Sequence, residues 1–464
     1  MVFSSLVFLF LYLPLVLLLY YCSPRRFRNA LLLLANLLFY GWGEPVFLSV
    51  MLFSILSSYG FGLLIQRYRQ RERLAKTFVI VSIVTSLALL GFFKYSAFLA
   101  DIVRAIPLFS SLPAPVIPLP IGISFYIFQT MSYTIDVYRG DTDAQRSAVA
   151  YGAYVSLFPQ LIAGPIVRYK DVAAQLTERH ENAVQFTEGI RLFVAGLAKK
   201  VLLANPMGLL WDGLRASAQP GLVGAWLGAI AFSLQIYFDF SGYSDMARGL
   251  GKFFGFEFME NFCYPYISRS ISEFWRRWHI SLSTWFRDYV YIPLGGNRRG
   301  LKRTILNLLI VWLLTGLWHG ANYNYILWGL FYFALLALEK VFLKRWLDRA
   351  PAGIAHGYSL LCILLGWMLF YFEDLGQLRL YLTSMFTYQG VLLSPHAGYL
   401  ALSYLPLLLV GTVASTPIGK ALFAKLPAGR CSFAAEFILC SLTLLLCVAA
   451  LVSQSYNPFL YFRF

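Results

Sequence analysis

Long apolar runs, separated by short polar stretches, occupy most of this 464-residue chain. Runs of about twenty apolar residues are long enough to cross the hydrocarbon core of a bilayer as helices. The pattern predicts an all-α polytopic membrane protein with about eleven transmembrane helices. The candidate segments, several of them short or broken, are 3–21, 29–42, 46–65, 77–99, 119–138, 149–167, 222–240, 304–318, 323–343, 355–372, 398–414 and 432–453.

Two stretches depart from a simple spanning pattern. Pro159 and Pro165 interrupt the apolar run 149–167, and a full crossing there would place the following basic segment outside the cytoplasm. We therefore expect a re-entrant segment that helps to line a cavity, because irregular backbone at membrane depth survives only inside protein or beside water. Residues 186–215 mix apolar groups with two adjacent lysines, which favours a helix lying along the membrane interface.

Residues 238–303 are much more polar than the rest of the chain. From Arg269 to Arg303 there are eight lysines or arginines and two acidic residues, so the positive-inside rule places this region at the cytoplasmic face. Apolar residues recur at helical spacing in "ISEFWRRWHISL", which predicts an amphipathic helix in the inner interface. One interpretation is an anchor at the lipid headgroups. The other is a docking surface for a phosphate-bearing cytosolic ligand. The candidate phosphate-binding residues are Arg276, Arg277, Arg298 and Arg299.

A histidine interrupts the apolar pattern in "TGLWHGANYNY", residues 315–325. If a helix begins near Arg303 at the cytoplasmic face, His319 lies about 24 Å higher and well inside the bilayer, at 1.5 Å per residue. An ionisable side chain at that depth is costly and normally faces a functional cavity. The alternative is a structural histidine that hydrogen-bonds a neighbouring helix. The other candidates for the wall of a pocket are Trp318, Asn322 and Asn324.

His279, in "RRWHISLS", is the second candidate for chemistry. The surrounding cations favour its neutral form, and a neutral imidazole can accept a proton as a general base. The alternative is a histidine that only lies at the membrane interface. Asp239 and Asp245 flank the end of an apolar run, and we expect both carboxylates to form structural pairs with cations or helix ends.

The composition narrows the class of protein further. The chain is 59% hydrophobic and 13% charged, which is not the balance of a soluble domain. In a polytopic membrane protein the formal charge of +16 indicates basic cytoplasmic loops and not nucleic-acid binding. The basic "RRFR" after the first apolar run places the N-terminus outside the cytoplasm. The six cysteines are scattered without metal-ligand spacing, so no metal site is expected.

Several of these stretches together resemble the membrane-bound O-acyltransferase family. Within the family they resemble the bacterial branch of alginate O-acetylation and teichoic acid D-alanyl transfer proteins. The similarity extends from residue 1 to about residue 340, and its most specific part is "EFWRRWHISLSTWFRDYVYIPLGGN". The other matching stretches are "LPIGISFYIFQTMSYTIDVYRGD", "FPQLIAGPIVRYKD", "YFDFSGYSDMARGLG" and "GLWHGANYNYILWG".

The resemblance implies a single membrane-embedded O-acyltransferase domain over residues 1–464, with its core motifs in 119–340. Its expected fold is a helix bundle in which re-entrant or interfacial helices surround a central cavity. The resemblance also identifies His319 and His279 with the two histidines of the family.

The implied activity is transfer of acetyl groups across the bacterial inner membrane, for O-acetylation of an exported polysaccharide such as alginate or cellulose. The resemblance implies acetyl-CoA as the donor substrate, no bound cofactor, and an extracytoplasmic acetyltransferase or hydrolase-like partner in a polysaccharide synthesis complex. In this hypothesis His319 is the general base, and Asn322 or Asn324 donates to the oxyanion. The alternatives are a glycan or lipid transporter without acyl transfer, and a lysophospholipid acyltransferase.

Overall fold

The computed structural model describes residues 1–111, 113, 117–162, 164–217, 219–423, 425, 430–453 and 460. These residues form helices and connecting turns, with no strand among them, so the predicted all-α class is confirmed. The helices longer than one turn are α1 (Phe8–Cys22), α2 (Arg28–Gly43), α3 (Leu48–Arg67), α4 (Glu72–Arg104), α5 (Ile123–Arg139), α6 (Ala148–Val155), α7 (Phe158–Leu161), α8 (Tyr169–Thr177), α9 (Ala183–Arg215), α10 (Gly221–Phe253), α11 (Ile271–Arg277), α12 (Ile280–Phe286, continued by a π-helical turn to Tyr291), α13 (Gly300–His319), α14 (Tyr323–Leu347), α15 (Ala352–Tyr371), α16 (Leu375–Phe386), α17 (Pro395–Ala414), α18 (Ile418–Phe423) and α19 (Arg430–Ser453).

Within the described ranges, nine helices are long and apolar enough to cross a membrane: α3, α4, α9, α10, α13, α14, α15, α17 and the Ala434–Ser453 part of α19. Apolar side chains on these helices point outward, such as Leu402, which is 74% exposed, and Leu446, which is 61% exposed. Such a surface is stable in contact with lipid, and the chain is a multi-pass membrane protein. The predicted number of about eleven spans is not confirmed. Two of the predicted spans, α2 and α5, have only 16 and 17 residues.

The chain divides into two compact units, and α9 and α10 contribute to both. The first unit contains Met1–Phe193 and Ser244–Met259. The second contains Val194–Tyr243 and Glu260–Phe464. Both histidines that the sequence singles out, His279 and His319, belong to the second unit.

In the first unit, the run 149–167 is broken as its prolines predict. It forms the short helices α6 and α7, with buried residues on both sides of the break. Asn36 of α2 satisfies the interrupted backbone, because its Nδ2 donates to the carbonyl of Ala153 at 3.1 Å and its Oδ1 accepts from the amide of Phe158 at 3.1 Å. Non-helical backbone is therefore stabilised inside the protein, as the bilayer requires. Its predicted role in lining a cavity stays a prediction.

The interfacial interpretation of residues 186–215 is wrong. They belong to α9, a continuous 33-residue helix that is mostly buried within the protein. In the second unit, Lys200 Nζ of α9 lies 2.7 Å from Asp239 Oδ1 of α10, and both side chains are 3% exposed. The charge that made this segment look interfacial is thus neutralised in the interior. Asp239 forms the structural pair that the sequence predicts, and Asp245 pairs with Arg248 at 3.4 Å.

Helices α13 and α14 form the hairpin that carries His319. The two backbones approach most closely at Gly316 and Gly329. A Cβ at Gly316 would collide with the carbonyl of Tyr325, and a Cβ at Gly329 would collide with the carbonyl of Trp312. This close approach is possible because small residues let membrane helices pack backbone against backbone.

Candidate active site

Helix α11, which carries two of the candidate arginines, is held at its N-terminus by two side chains. Ser270 is the N-cap, and its Oγ accepts from the amide of Glu273 at 3.1 Å. Glu339 of α14 is buried, and its carboxylate accepts from the amides of Ile271 at 2.6 Å and Ser272 at 2.9 Å. It also accepts from Ser272 Oγ at 2.6 Å. A carboxylate at this position satisfies helix amides that would otherwise be buried without a partner, and the helix dipole favours its charge.

His279 lies at the break between α11 and α12 and is only 1% exposed. Its backbone is left-handed, with φ 46° and ψ 54°, a conformation that costs a non-glycine residue about 1–3 kcal/mol. Asn261 holds this turn. Its backbone carbonyl accepts from the amide of Ile280 at 3.0 Å, and its Oδ1 lies 3.2 Å from His279 Nδ1. The same Oδ1 accepts from Ser281, from the amide at 3.0 Å and from Oγ at 2.9 Å.

The surroundings of the His279 ring are aromatic. Its centroid lies 4.8 Å from the ring of Phe240, 6.5 Å from that of Phe262 and 5.9 Å from that of Trp318. His279 lies outside the nine candidate spans, and burial lowers the pKa of its imidazole to about 3. The ring is therefore neutral at physiological pH. The sequence predicts this state from neighbouring cations, whereas the structure attributes it to desolvation.

His319 is the last residue of α13 and is 9% exposed, so it is less enclosed than His279. Its ring packs edge-on against Trp318 at 4.9 Å, Trp328 at 5.0 Å and Phe370 at 5.1 Å between centroids. Three aromatic walls hold the imidazole in one orientation. Preorganisation of this kind is what a proton-transferring group needs.

The indole of Trp318 connects the two histidines. It contacts the ring of His279 at 5.9 Å and that of His319 at 4.9 Å between centroids. Trp318, His279 and His319 are therefore brought together, although forty residues separate the two histidines in the sequence.

The two candidate asparagines have structural contacts. Asn322 is the N-cap of α14, and its Oδ1 accepts from the amide of Tyr323 at 2.6 Å. Asn324 is buried, and its Nδ2 donates to the carbonyl of Phe370 at 2.9 Å, which ties α14 to the end of α15. Both residues thus shape the turn next to His319. Their role as oxyanion donors stays a prediction.

Two clefts adjoin at Arg276. The larger is about 490 Å³, and its cationic lining residues are Arg269, Arg276, Arg277 and Lys344. Arg277 and Lys344 pair with carboxylates, Glu273 at 2.9 Å and Asp348 at 2.9 Å. Within the described part of the chain, the guanidinium groups of Arg269 and Arg276 form no ion pair within 4.0 Å, although the Arg269 amide donates to Glu273 at 3.0 Å and the two charges attract each other. These two guanidinium groups are therefore the candidates for binding an external anion in this cleft.

The smaller cleft, of about 240 Å³, is mainly apolar. Arg276 and Arg287 line one part of it, together with the rings of Trp275 and Phe286. Along α13 its wall is formed by one helix face: Leu308, Val311, Trp312 and Thr315. Thr315 is about one turn before His319.

Arg298 and Arg299 lie in a turn next to Tyr291, which lines the smaller cleft. They belong to the exposed turn "LGGNRRG" before α13, where Gly295, Gly296 and Gly300 have positive φ of 105°, 56° and 81°. Neither arginine lines the two clefts at Arg276. Of the four predicted phosphate-binding arginines, Arg276 and Arg277 line the larger of these two clefts, and Arg298 and Arg299 line neither.

Sequence reasoning missed two residues that organise this site. Glu339 is a single acid at the end of the apolar run "ILWGLFYFALLALE", and a lone carboxylate at that position is the signal that could have identified it. Asn261 lies in "ENFCYPY", where no spacing connects it with His279. Its role depends on a contact that only the folded chain shows.

The comparison with known proteins places the chain in a family. The model of the membrane-bound O-acyltransferase family matches residues 141–352, which include His279 and His319. A probable alginate O-acetylase from Pseudomonas putida is 43% identical over 100% of both chains. The chain belongs to the membrane-bound O-acyltransferases.

Two further relatives agree with this membership. A probable alginate O-acetylase from Azotobacter vinelandii is 47% identical, covering 84% of this chain and 78% of its own. A peptidoglycan O-acetyltransferase from Helicobacter pylori is 32% identical, covering 84% of this chain and 81% of its own. The similarity thus extends beyond residue 340, where the motifs end. The protein is an O-acyltransferase, which removes support from the transporter alternative.

Proposed function

We propose that this O-acyltransferase moves acetyl groups from cytosolic acetyl-CoA across the bacterial inner membrane to an exported polysaccharide. The names of the relatives support the acetyl group and the class of acceptor, since they are alginate and peptidoglycan O-acetylating enzymes. Among the candidate glycans they favour alginate over cellulose. The N-terminus lies outside the cytoplasm in this arrangement.

The meeting of the two clefts at Arg276 carries the proposal. The cationic cleft offers Arg269 and Arg276 to the phosphates of the donor. The apolar cleft suits the acyl-bearing arm, and its wall follows α13 from Leu308 to Thr315, toward His319. A charged end joined to an apolar channel matches acetyl-CoA, which carries its phosphates at one end and its thioester at the other.

His319 is the general base of the proposed reaction. Its imidazole takes the proton of the attacking hydroxyl while the hydroxyl oxygen bonds to the acetyl carbonyl carbon. The carbon–sulphur bond then breaks, and the departing thiolate receives the proton as free CoA. Proton transfer of this kind typically contributes about 10²–10⁴-fold to the rate. The aromatic rings around His319 lower the local polarity, which strengthens electrostatic stabilisation of the oxyanion.

A third cleft supports an acceptor that approaches from the other end of α13. It is about 350 Å³ and is lined by Arg215, Gln377, Ser384 and further polar residues. Phe372, at its wall, follows shortly after Phe370, whose ring packs on His319. Amide and hydroxyl side chains suit a sugar or a polar loop. We assign this face to the extracytoplasmic partner protein, which passes the acetyl group to the glycan.

The test is complementation of a gene deletion in the native bacterium with the His319→Ala variant. Proton NMR of the exported polysaccharide measures its acetyl ester content. We expect the variant to insert normally and to lose acetylation. The exposed His396 provides the matched control, because His396→Ala removes an imidazole of the same unit that lines none of the three clefts. Normal acetylation with His319→Ala would refute the proposed base.

Donor specificity is tested separately with inverted membrane vesicles. Radiolabelled acetyl-CoA should lose its acetyl group and release free CoA, whereas palmitoyl-CoA with lysophosphatidylcholine should not react. Preference for the long-chain donor would instead identify the lysophospholipid acyltransferase alternative.

A further inference from the structure

We infer that Asn261 is a positioning residue that fixes His279 in the tautomer with the proton on Nδ1, so that Nε2 is presented as a hydrogen-bond acceptor for a substrate hydroxyl or thiol. The substrate part of this inference rests on the proposed function, whereas the tautomer stands on the geometry alone.

The orientation of the Asn261 amide follows from its partners. The backbone amide of Ser281 lies 3.0 Å from Oδ1, and a backbone N–H can only donate. The atom that it contacts must therefore be the amide oxygen, because the amide NH₂ cannot accept. Ser281 Oγ, at 2.9 Å, donates to the same oxygen. Exchanging the oxygen and nitrogen positions would place NH₂ against N–H.

The tautomer of His279 follows in the same way. The Asn261 oxygen can only accept, and it lies 3.2 Å from His279 Nδ1. Nδ1 must then carry a proton to form this hydrogen bond. A neutral imidazole has one N–H, so Nε2 keeps its lone pair. Ser281 Oγ, at 3.4 Å from Nδ1, already donates to Asn261 and does not compete for this role.

The imidazole of His279 is neutral, and its Nε2 forms no hydrogen bond with the residues that the structure describes. Its described ring neighbours are Phe240, Phe262 and Trp318, none of which is charged. Nε2 is buried and has no hydrogen-bond partner among the residues that the structure describes. A buried acceptor without a partner is costly, and such a group at a functional site indicates a missing ligand. The strained backbone of His279, held by Asn261, points the ring in one direction.

The decisive substitution is Asn261→Asp. It keeps both shape and acceptor, but the new carboxylate favours the imidazolium and raises the pKa of His279. When pH falls below that raised pKa, Nε2 becomes protonated and loses its lone pair. We expect transfer activity to decline with acidification at a pH where the unmodified enzyme is unaffected, and to recover at higher pH. Ser281→Ala is the control. The backbone amide at position 281 still donates to Asn261 in this variant, so the pH profile of its transfer activity should not change.

A second readout does not depend on activity. Nitrogen-15 NMR of the histidine-labelled protein in nanodiscs reports which ring nitrogen carries the proton, and His279→Gln assigns the signal. We expect the unmodified protein to show a protonated Nδ1 and an unprotonated Nε2, and Asn261→Ala to show a mixture. A protonated Nε2 in the unmodified protein would overturn the inference even if Asn261→Asp failed to fold. If the unmodified protein and its variants all failed to transfer acetyl groups while the unmodified protein showed a protonated Nδ1, the proposed function would be refuted. The assignment of the tautomer would still stand.

Discussion

Replacement of Glu339 by glutamine should loosen the N-terminus of α11 and weaken donor binding. The carboxylate accepts from Ile271 through Oε1 and from Ser272 through Oε2. Glutamine offers one oxygen and one NH₂, so at least one buried amide would face a second donor. A lost hydrogen bond to a charged group costs about 1.5–3 kcal/mol, and the helix dipole adds about 0.3–1 kcal/mol. The expected total of about 3 kcal/mol corresponds to local opening about a hundredfold more frequent.

Hydrogen exchange of the protein in nanodiscs measures this opening directly. The amides of α11 should exchange roughly a hundredfold faster in Glu339→Gln, while those of α13 should not change. The KM for acetyl-CoA should increase, because Arg276 lies on α11 and lines both clefts that we propose for the donor. Glu373→Gln makes the same change at an exposed position of the same unit and serves as the control. Unchanged exchange in α11 would refute the assignment of Glu339 as its anchor.

Three further substitutions test other parts of the fold and site. Gly316→Ala places a Cβ against a backbone carbonyl and should lower the free energy of unfolding by about 1–3 kcal/mol. Gly357→Ala, where the added Cβ meets open space, should lower it little. Equal losses of stability in the two variants would contradict the close approach of α13 and α14. Asp239→Asn leaves the buried charge of Lys200 without its carboxylate and should destabilise the protein by about 3–5 kcal/mol, so a normal melting temperature would show that the pair is dispensable. Arg276→Gln should raise the KM for acetyl-CoA about tenfold to a hundredfold with a smaller change in kcat, and an unchanged KM would remove this residue from the donor site.

Hydropathy was sufficient to find most of the helices, because every span must present a run of about twenty apolar residues to the lipid. The sequence of α13, α14 and α15 predicts their positions closely, and the polar break at His319 lies at the end of α13, as the sequence predicts. The same rule failed for α9. The charge of Lys200 suggested an interface, and only its contact with Asp239 explains why the helix is buried.

Residues far apart in sequence account for what the patterns did not predict. Glu339 reaches the start of α11, 68 residues earlier, and Asn261 reaches His279, 18 residues later. Neither contact joins two residues of one helix, so neither can be predicted from helical spacing. The arginines illustrate the same limit. All four looked equivalent in the sequence, yet the fold places Arg298 and Arg299 in a turn that lines neither cleft at Arg276.

The most direct test of the central claim is a cryo-EM structure with a non-reactive thioether analogue of acetyl-CoA. The account predicts density for the phosphates at Arg269 and Arg276 and for the arm along the Leu308–Thr315 face of α13. The sulphur should lie close enough to the His319 ring for a single water molecule to bridge them. Each hydrogen bond to that water should measure about 2.6–3.2 Å between heavy atoms. Density for the arm that ends elsewhere, with His319 enclosed by side chains, would contradict the account.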